Sequence, residues 1–272
     1  MAEFVVDDGI KLNYHLDGDS GPVILILNGI MMSTASWADF VPVYTDNNYR
    51  VLRVDFRDQG LSDSYPEEYK IEIHVEDIIE LLDHLKIERV IPVGISYGGM
   101  VAMLMAIKYP ERLDSMVLTN TVARVTPYLK AASQAWQEAA DLKDGRKFFR
   151  LAMPFIYSDY FYKHNQEFLE SREEILADVL DAEWLTRFNR LAESSYEFDI
   201  EEQLTEIELP VLLVAGERDI LTPLEKMKEI ASKLTDSRLL TINDAGHASC
   251  YEKMNEFNTA VLGHLALTVE NN

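Results

Sequence analysis

Residues 93–100 read VGISYGGM and place Ser96 among three glycines, Gly94, Gly98 and Gly99. Glycine costs conformational entropy inside regular structure, so this density implies a backbone that turns too tightly for a Cβ or passes close to another segment. A serine hydroxyl is a poor nucleophile until a base, itself oriented by a third group, takes its proton. Two downstream segments offer those partners. Asp219 stands in VAGERDILTP and His247 in INDAGHASCYEK. The order Ser96, Asp219, His247 suits nucleophilic acyl transfer on an open α/β scaffold. Asp244 competes for the acid role but is too near His247 in sequence for the usual arrangement. The strand before residue 120 ends in Asn120, so a second acid position there is vacant.

These residues need elements to hold them. PVILILN (22–28), YRVLRVDF (49–56), RVIPVGI (89–95), LDSMVLTN (113–120), LPVLLVAG (209–216) and SRLLTIND (237–244) read as short strands, the apolar ones buried on both faces. EFVVDD and KLNYHLDG read as a hairpin with Asp8-Gly9 as its turn. A short helix is expected in STASWADFVPVYTDN, capped by Ser33 or Thr34, and longer ones over 69–87, 97–110, 223–234 and 251–269. Strand–helix alternation predicts a mostly parallel central sheet with helices on both faces. Ser96 then sits on a strand-to-helix turn, Gly94-x-Ser96-x-Gly98, with the Tyr97 N–H free at the helix start. Asp219 and His247 follow strand ends, where the sites of such sheets collect.

From residue 123 to 200 the rhythm changes to helical patterns, with PYLKAASQAWQEAADL, GRKFFRLAMPFIY and SREEILADVLDAEWLTRFNRLAES its main segments. The expected organisation is a core of residues 1–122 and 201–272 carrying a helical cap insertion over 123–200. Fourteen of the chain's aromatics fall in the insertion. Trp136, Phe155, Tyr157 and Trp184 are therefore candidates for a substrate pocket, with Met31 from the core. Met32, Met100 and Met103 also fall around the expected site, as core or as adaptable pocket wall.

The 272-residue chain has a formal net charge of −22. That balance repels phosphate backbones and anionic lipid, so neither nucleic acid nor membrane is an expected partner. The six histidines lack metal-ligand spacing, and no phosphate-binding glycine loop or dinucleotide fingerprint occurs. No cofactor and no metal are expected. The single cysteine, Cys250, excludes an internal disulfide framework, and the N-terminal residues lack the apolar core of a signal peptide. A cytoplasmic protein is expected.

The segments NGIMM (28–32), DFRDQGLSD (55–63), GISYGGM (94–100), GERDILTP (216–223) and DAGHASCYEK (244–253) together resemble the α/β-hydrolase superfamily, over nearly the whole chain. The resemblance implies an α/β-hydrolase fold with a variable helical cap. It implies an oxyanion hole from the backbone N–H groups of Ile30 and Tyr97. Asn28 stands where the family commonly has His, and Asp58 where Gly is common. The DFRDQGLSD loop is expected to hold the strand–loop corner, without chemistry. The implied activity is hydrolysis of a small-to-medium apolar carboxylic ester through an acyl-enzyme. A lactonase, a C–C bond hydrolase, or a ligand sensor with slow turnover uses the same constellation. An enol-lactonase or C–C hydrolase would need a cation for its substrate carboxylate, with Arg124, Arg146, Lys147 and Arg150 as cap candidates.

Overall fold

A computed structural model describes residues 2–268. Its strands are β1 (Ala2–Val5), β2 (Lys11–Asp17), β3 (Val23–Leu27), β4 (Arg50–Val54), β5 (Ile91–Ile95), β6 (Met116–Thr119), β7 (Val211–Gly216) and β8 (Ser237–Ile242). They form one sheet of order β1-β2-β4-β3-β5-β6-β7-β8. Strand β2 alone runs against its neighbours, and the pairs from β4–β3 through β7–β8 are parallel. The β1–β2 hairpin turns at Gly9, whose φ of 90° is open to glycine at no steric cost.

Helices α1 (Val41–Thr45), α2 (Ile73–His84) and α3 (Tyr97–Lys108) lie between the early strands. Between β6 and β7 come α4 (Pro127–Asp141), α5 (Gly145–Ile156), α6 (Asp159–His164), α7 (Gln166–Val179) and α8 (Ala182–Ser194). After β7 follow α9 (Leu224–Lys233), α10 (Ser249–Glu252) and α11 (Met254–Thr268).

The period of two along each strand divides the core. Val23, Leu25 and Leu27 of β3 join a cluster with residues of α2, α3 and α9. Ile24 and Ile26 join a second cluster with Trp37, Tyr44 of α1 and Phe257 of α11. Both faces are thus covered, which is why the inner strands read as continuous apolar runs. A third cluster belongs mainly to α4, α5, α7 and α8, with Trp136, Phe148, Leu185 and Phe188 among its members. The chain enters and leaves these five helices side by side. Arg124 and Asp199 form an antiparallel bridge, flanked by Ile200 N–H to Ala123 O at 2.9 Å and Val125 N–H to Phe198 O at 3.0 Å.

Several expected elements are subdivided. The segment after Ser33 holds a 3₁₀ turn, Thr34–Trp37, and then α1. The long pattern from 171 to 194 breaks at Leu180, and Asp181 restarts it by accepting the Trp184 N–H as the cap of α8. The last helix is two, separated at Lys253; Val269, included in its expected span, lies outside the described residues. No described helix is long and apolar enough to cross a membrane.

Candidate active site

Strand β5 delivers Ser96 and α3 leaves from it. Ser96 has φ 53° and ψ −114°, a strained conformation for a residue with a side chain. Its neighbours show why the turn needs glycine. A Cβ on Gly98 would sit 2.1 Å from Leu27 O, and one on Gly94 would sit 2.5 Å from Gly98 O. Removing those side chains lets the helix start directly over the sheet. The Ser96 N–H donates to Thr119 O at 2.9 Å, and the Thr121 hydroxyl donates to Ser96 O at 2.7 Å, so β6 holds the turn in place.

The loops after β7 and β8 meet beside it. A Cβ on Gly216 would be 2.2 Å from Gly246 O, and Arg218 N–H donates to Ala245 O at 2.8 Å. This close approach sets Asp219 next to His247. Ser96 Oγ lies 2.9 Å from His247 Nε2, and His247 Nδ1 lies 2.8 Å from Asp219 Oδ2. Asp219 only accepts, so the imidazole carries its proton on Nδ1 and presents a bare Nε2 to the serine hydroxyl.

Asp219 is buried and densely solvated by protein. Its Oδ1 accepts the N–H groups of Leu221 (2.8 Å) and Thr222 (3.0 Å). Its Oδ2 also accepts from the Thr222 hydroxyl and the Asn120 amide, each at 2.6 Å. Burial alone would raise this carboxyl, but the adjacent imidazole and these donors hold it down at about 2. Asn120, in turn, accepts the Ser249 hydroxyl at 2.6 Å. The position that lacks an acid therefore orients the acid on the next strand. Asp244 is elsewhere, paired with Arg218.

Ile30 and Tyr97 border the same cavity as Ser96. Tyr97 opens α3, so its N–H has no intrahelical acceptor, and the Ile30 N–H makes no hydrogen bond among the described residues. The loop carrying Ile30 is braced from behind. Gln59 Nε2 donates to Gly29 O at 2.9 Å and to Ile30 O at 3.3 Å. Asn28 donates to Val54 O at 2.8 Å and accepts the Trp37 indole N–H at 2.9 Å. Asn in place of His thus leaves no loose end. The DFRDQGLSD loop is otherwise built on Asp55, which accepts from Thr34 N (2.6 Å) and Asn13 Nδ2 (2.7 Å), with Gly60 packed against its carboxylate. Asp58 binds Tyr69 and Arg190, tying this loop to α8.

A cavity of about 900 Å³ extends from Ser96 and His247 between the sheet and the helices of the 123–200 segment. Met31, Trp136, Tyr157 and Trp184 line it, together with Met32, Met100, Leu129, Phe148, Leu176 and Leu221. One sequence expectation needs correction. Phe155 is not on the cavity wall; it packs edge-on against Trp136 with centroids 6.1 Å apart. Met103 is fully buried, the core role rather than the wall role of the two expected for it. The four expected cap cations are also elsewhere. Arg146 and Arg150 pair with Glu173, Lys147 with Asp144, and Arg124 with Glu201. The guanidiniums on the cavity wall are those of Arg53, Arg172 and Arg187. Cys250 is buried, and burial pushes its thiol up to about 12, which keeps it as a thiol rather than a thiolate.

A family model described as the α/β hydrolase fold matches residues 22–254. The chain is 28% identical over 256 residues to 3-oxoadipate enol-lactonase 2 of Acinetobacter baylyi, covering 93% of this chain and 92% of that one. Among solved structures it is similar to MGS-M2, an α/β-hydrolase enzyme from a Medee basin deep-sea metagenome library, at 36% identity and a TM-score of 0.95 over 100% of this chain and 99% of that one. It is also similar to Est816, described as an N-acyl homoserine lactone degrading enzyme, at 25% identity and a TM-score of 0.79 over 96% and 99% of the two chains. With a matching family model, the sheet order and the strained serine turn in agreement, the chain belongs to the α/β-hydrolase family and is a hydrolase.

Proposed function

We propose that the protein hydrolyses small-to-medium carboxylic esters, including lactones, through an acyl-enzyme on Ser96. The observation that carries this reading is the continuous relay Ser96 Oγ–His247 Nε2, His247 Nδ1–Asp219 Oδ2 at 2.9 and 2.8 Å, opening into a largely apolar cavity. Ser96 Oγ attacks the acyl carbon as His247 takes the hydroxyl proton. Asp219 stabilises the imidazolium, and the N–H groups of Ile30 and Tyr97 receive the oxyanion. His247 then protonates the leaving alkoxide. In the second half, His247 takes a proton from water, the hydroxide attacks the acyl carbon, and Ser96 leaves with that proton. Removing one oxyanion donor in a comparable site costs roughly 3–4 kcal/mol. Met31, Trp136, Tyr157 and Trp184 form the pocket for the substrate's apolar body. The relatives named as an enol-lactonase and as a lactone-degrading enzyme favour including cyclic esters, whose two products remain one molecule. The buried reduced cysteine fits action in the cytoplasm.

The test is fluorophosphonate labelling with steady-state turnover of p-nitrophenyl butyrate and a simple lactone. The wild type labels once, on Ser96, and turns over repeatedly. Ser96→Ala does neither. Labelling at another residue removes Ser96 from its role, and a single turnover per chain indicates a ligand sensor.

A further inference from the structure

One face of α7 carries Leu169, Arg172, Leu176 and Val179 at helical spacing, with Leu169 buried and Val179 exposed at its end. Arg172, Leu176 and Val179 line the cavity that contains Ser96, and Leu169 is buried in the cluster behind it. A guanidinium on such a face loses water and needs a partner. The other two cavity-lining arginines have theirs. Arg53 binds Asp17 and Thr34 O, and both terminal nitrogens of Arg187 bind carbonyls, of Gln59 and Ser62 and of Gly60, leaving only its buried Nε without an acceptor. Arg172, half-buried, has no carboxylate within 4.0 Å and no hydrogen-bond acceptor among the described residues. Its neighbour Glu173 faces α5 and is occupied by Arg146 and Arg150.

A second group beside it is also unused. Tyr157 is on the cavity wall, and its hydroxyl makes no hydrogen bond among the described residues. The two are close enough for the Arg172 charge to oppose the effect of burial on that hydroxyl. The carboxylate that also acts on Tyr157 is Glu252, already bound by the Ser158 N–H at 2.9 Å and the Gly246 N–H at 3.1 Å. Cavity acids Asp181 and Glu183 stand exposed at the start of α8, and Asp181 is engaged as its cap.

Resting on the ester-hydrolase reading, we propose that Arg172 and the Tyr157 hydroxyl form an anion-binding subsite for a carboxylate carried by the substrate away from its scissile bond. Guanidinium matches a carboxylate with two parallel N–H donors, and a phenol adds a third. The preferred substrate is then an ester or lactone with an apolar middle and one free carboxylate, not a wholly neutral ester.

The experiment compares mono-p-nitrophenyl esters of dicarboxylic acids, from succinate to suberate, with p-nitrophenyl esters of the matching monocarboxylic acids. A second pair, 4-acetoxybenzoate and phenyl acetate, places the carboxylate on the alcohol side. In the wild type, kcat/KM for one anionic ester exceeds the expectation from its neutral match. In Arg172→Met that anionic-to-neutral ratio falls roughly ten- to hundredfold, the span expected for a charge-assisted hydrogen bond. Arg172→Lys recovers part of it, and Tyr157→Phe loses a smaller part. Equal losses on anionic and neutral partners, or no change in any ratio, overturn the subsite. Binding separates this from the hydrolase reading. By calorimetry, methyl hydrogen adipate binds Ser96→Ala more tightly than it binds Ser96→Ala/Arg172→Met. Equal affinities overturn the subsite, whereas an absence of turnover on every ester overturns only the hydrolytic reading.

Discussion

Tyr97 Oη lies 2.7 Å from Ser194 Oγ, joining the residue that follows Ser96 to the last turn of α8. The direction of this chain follows from its ends. Ser194 donates its hydroxyl proton to Leu191 O at 2.7 Å, so it accepts from Tyr97. The Tyr97 hydroxyl therefore accepts from His74 Nε2 at 2.9 Å, and His74 Nδ1 is a bare lone pair with no partner. A buried neutral imidazole thus backs the serine turn, and the end of α8 is tied to that turn through the Tyr97 phenol.

Tyr97→Phe removes the hydroxyl and keeps the ring. It leaves the His74 N–H without an acceptor and breaks the tie to α8. The expected loss of stability is about 1–3 kcal/mol, from stranding a buried donor. The backbone N–H of residue 97 is retained, so kcat on a short ester should fall by less than about tenfold. Urea unfolding and steady-state rates measure both. Unchanged stability would mean that the His74–Tyr97–Ser194 chain does not hold α8 to the serine turn.

Acid sensitivity follows from the same imidazole. Burial, helped by the Arg57 charge, pushes His74 from 6.5 down to about 3. Between those values the unfolded chain binds a proton that the folded chain refuses. The stability that neutral His74 contributes is then fully present above about pH 6.5 and is lost on acidification until about pH 3. The slope contributed is at most about 1.4 kcal/mol per pH unit. His264, lowered by burial to about 4, adds the same sign over a narrower range. In His74→Gln the slope of unfolding free energy against pH should drop by one proton over this window, as read from urea titrations at several pH values. An identical slope in the variant would show that His74 is protonated in the folded state.

Much of this arrangement can be read from the chain, and what is missing has a common cause. Period-two apolar runs and the glycines around Ser96 specify strands and a tight turn because each constrains its own backbone. The order of Ser96, Asp219 and His247 is likewise visible. Gln59, Asn120 and Thr222 are not, because their importance lies in distances between loops that are far apart in sequence. Arg172 escaped for another reason. SREEILADV is polar on most sides, and only packing tells which face turns inward. The break at Leu180 is local but was masked by the continuous helical spacing on both sides, although Asp181 three residues before Trp184 is a cap signal.

Gln59 tests whether the oxyanion loop must be braced. Its amide donates to Gly29 O and Ile30 O, so Gln59→Leu frees the loop and Gln59→Glu sets a carboxylate against two carbonyls. In the proposed mechanism Gln59 touches no substrate and would act through the Ile30 N–H. Gln59→Leu should lower kcat by roughly tenfold, a fraction of what deleting a donor costs, and slow fluorophosphonate labelling in parallel, with KM little altered. Gln59→Glu should be slower still. A drop in melting temperature with kcat and labelling unchanged would leave Gln59 a purely structural role.

Asp219→Asn probes the acid through its hydrogen bonds as well as its charge. Oδ1 receives two backbone N–H groups, while Oδ2 faces His247 Nδ1, the Thr222 hydroxyl and the Asn120 amide. An asparagine must point its NH₂ at one set or the other. Toward the backbone, it strands two buried N–H donors. Toward His247, it offers a donor where Nδ1 must also donate, and the ring responds by moving its proton to Nε2, where it blocks Ser96. The second orientation costs less, because the Thr222 hydroxyl can rotate and Nδ1 can accept. The variant should therefore fold, with kcat reduced by about 10⁴ as in a triad with the wrong tautomer. Nitrogen chemical shifts of His247 would report the tautomer directly. A variant with near-wild-type kcat, or with Nδ1 still protonated, would break the assignment of Asp219 as the group that sets the base.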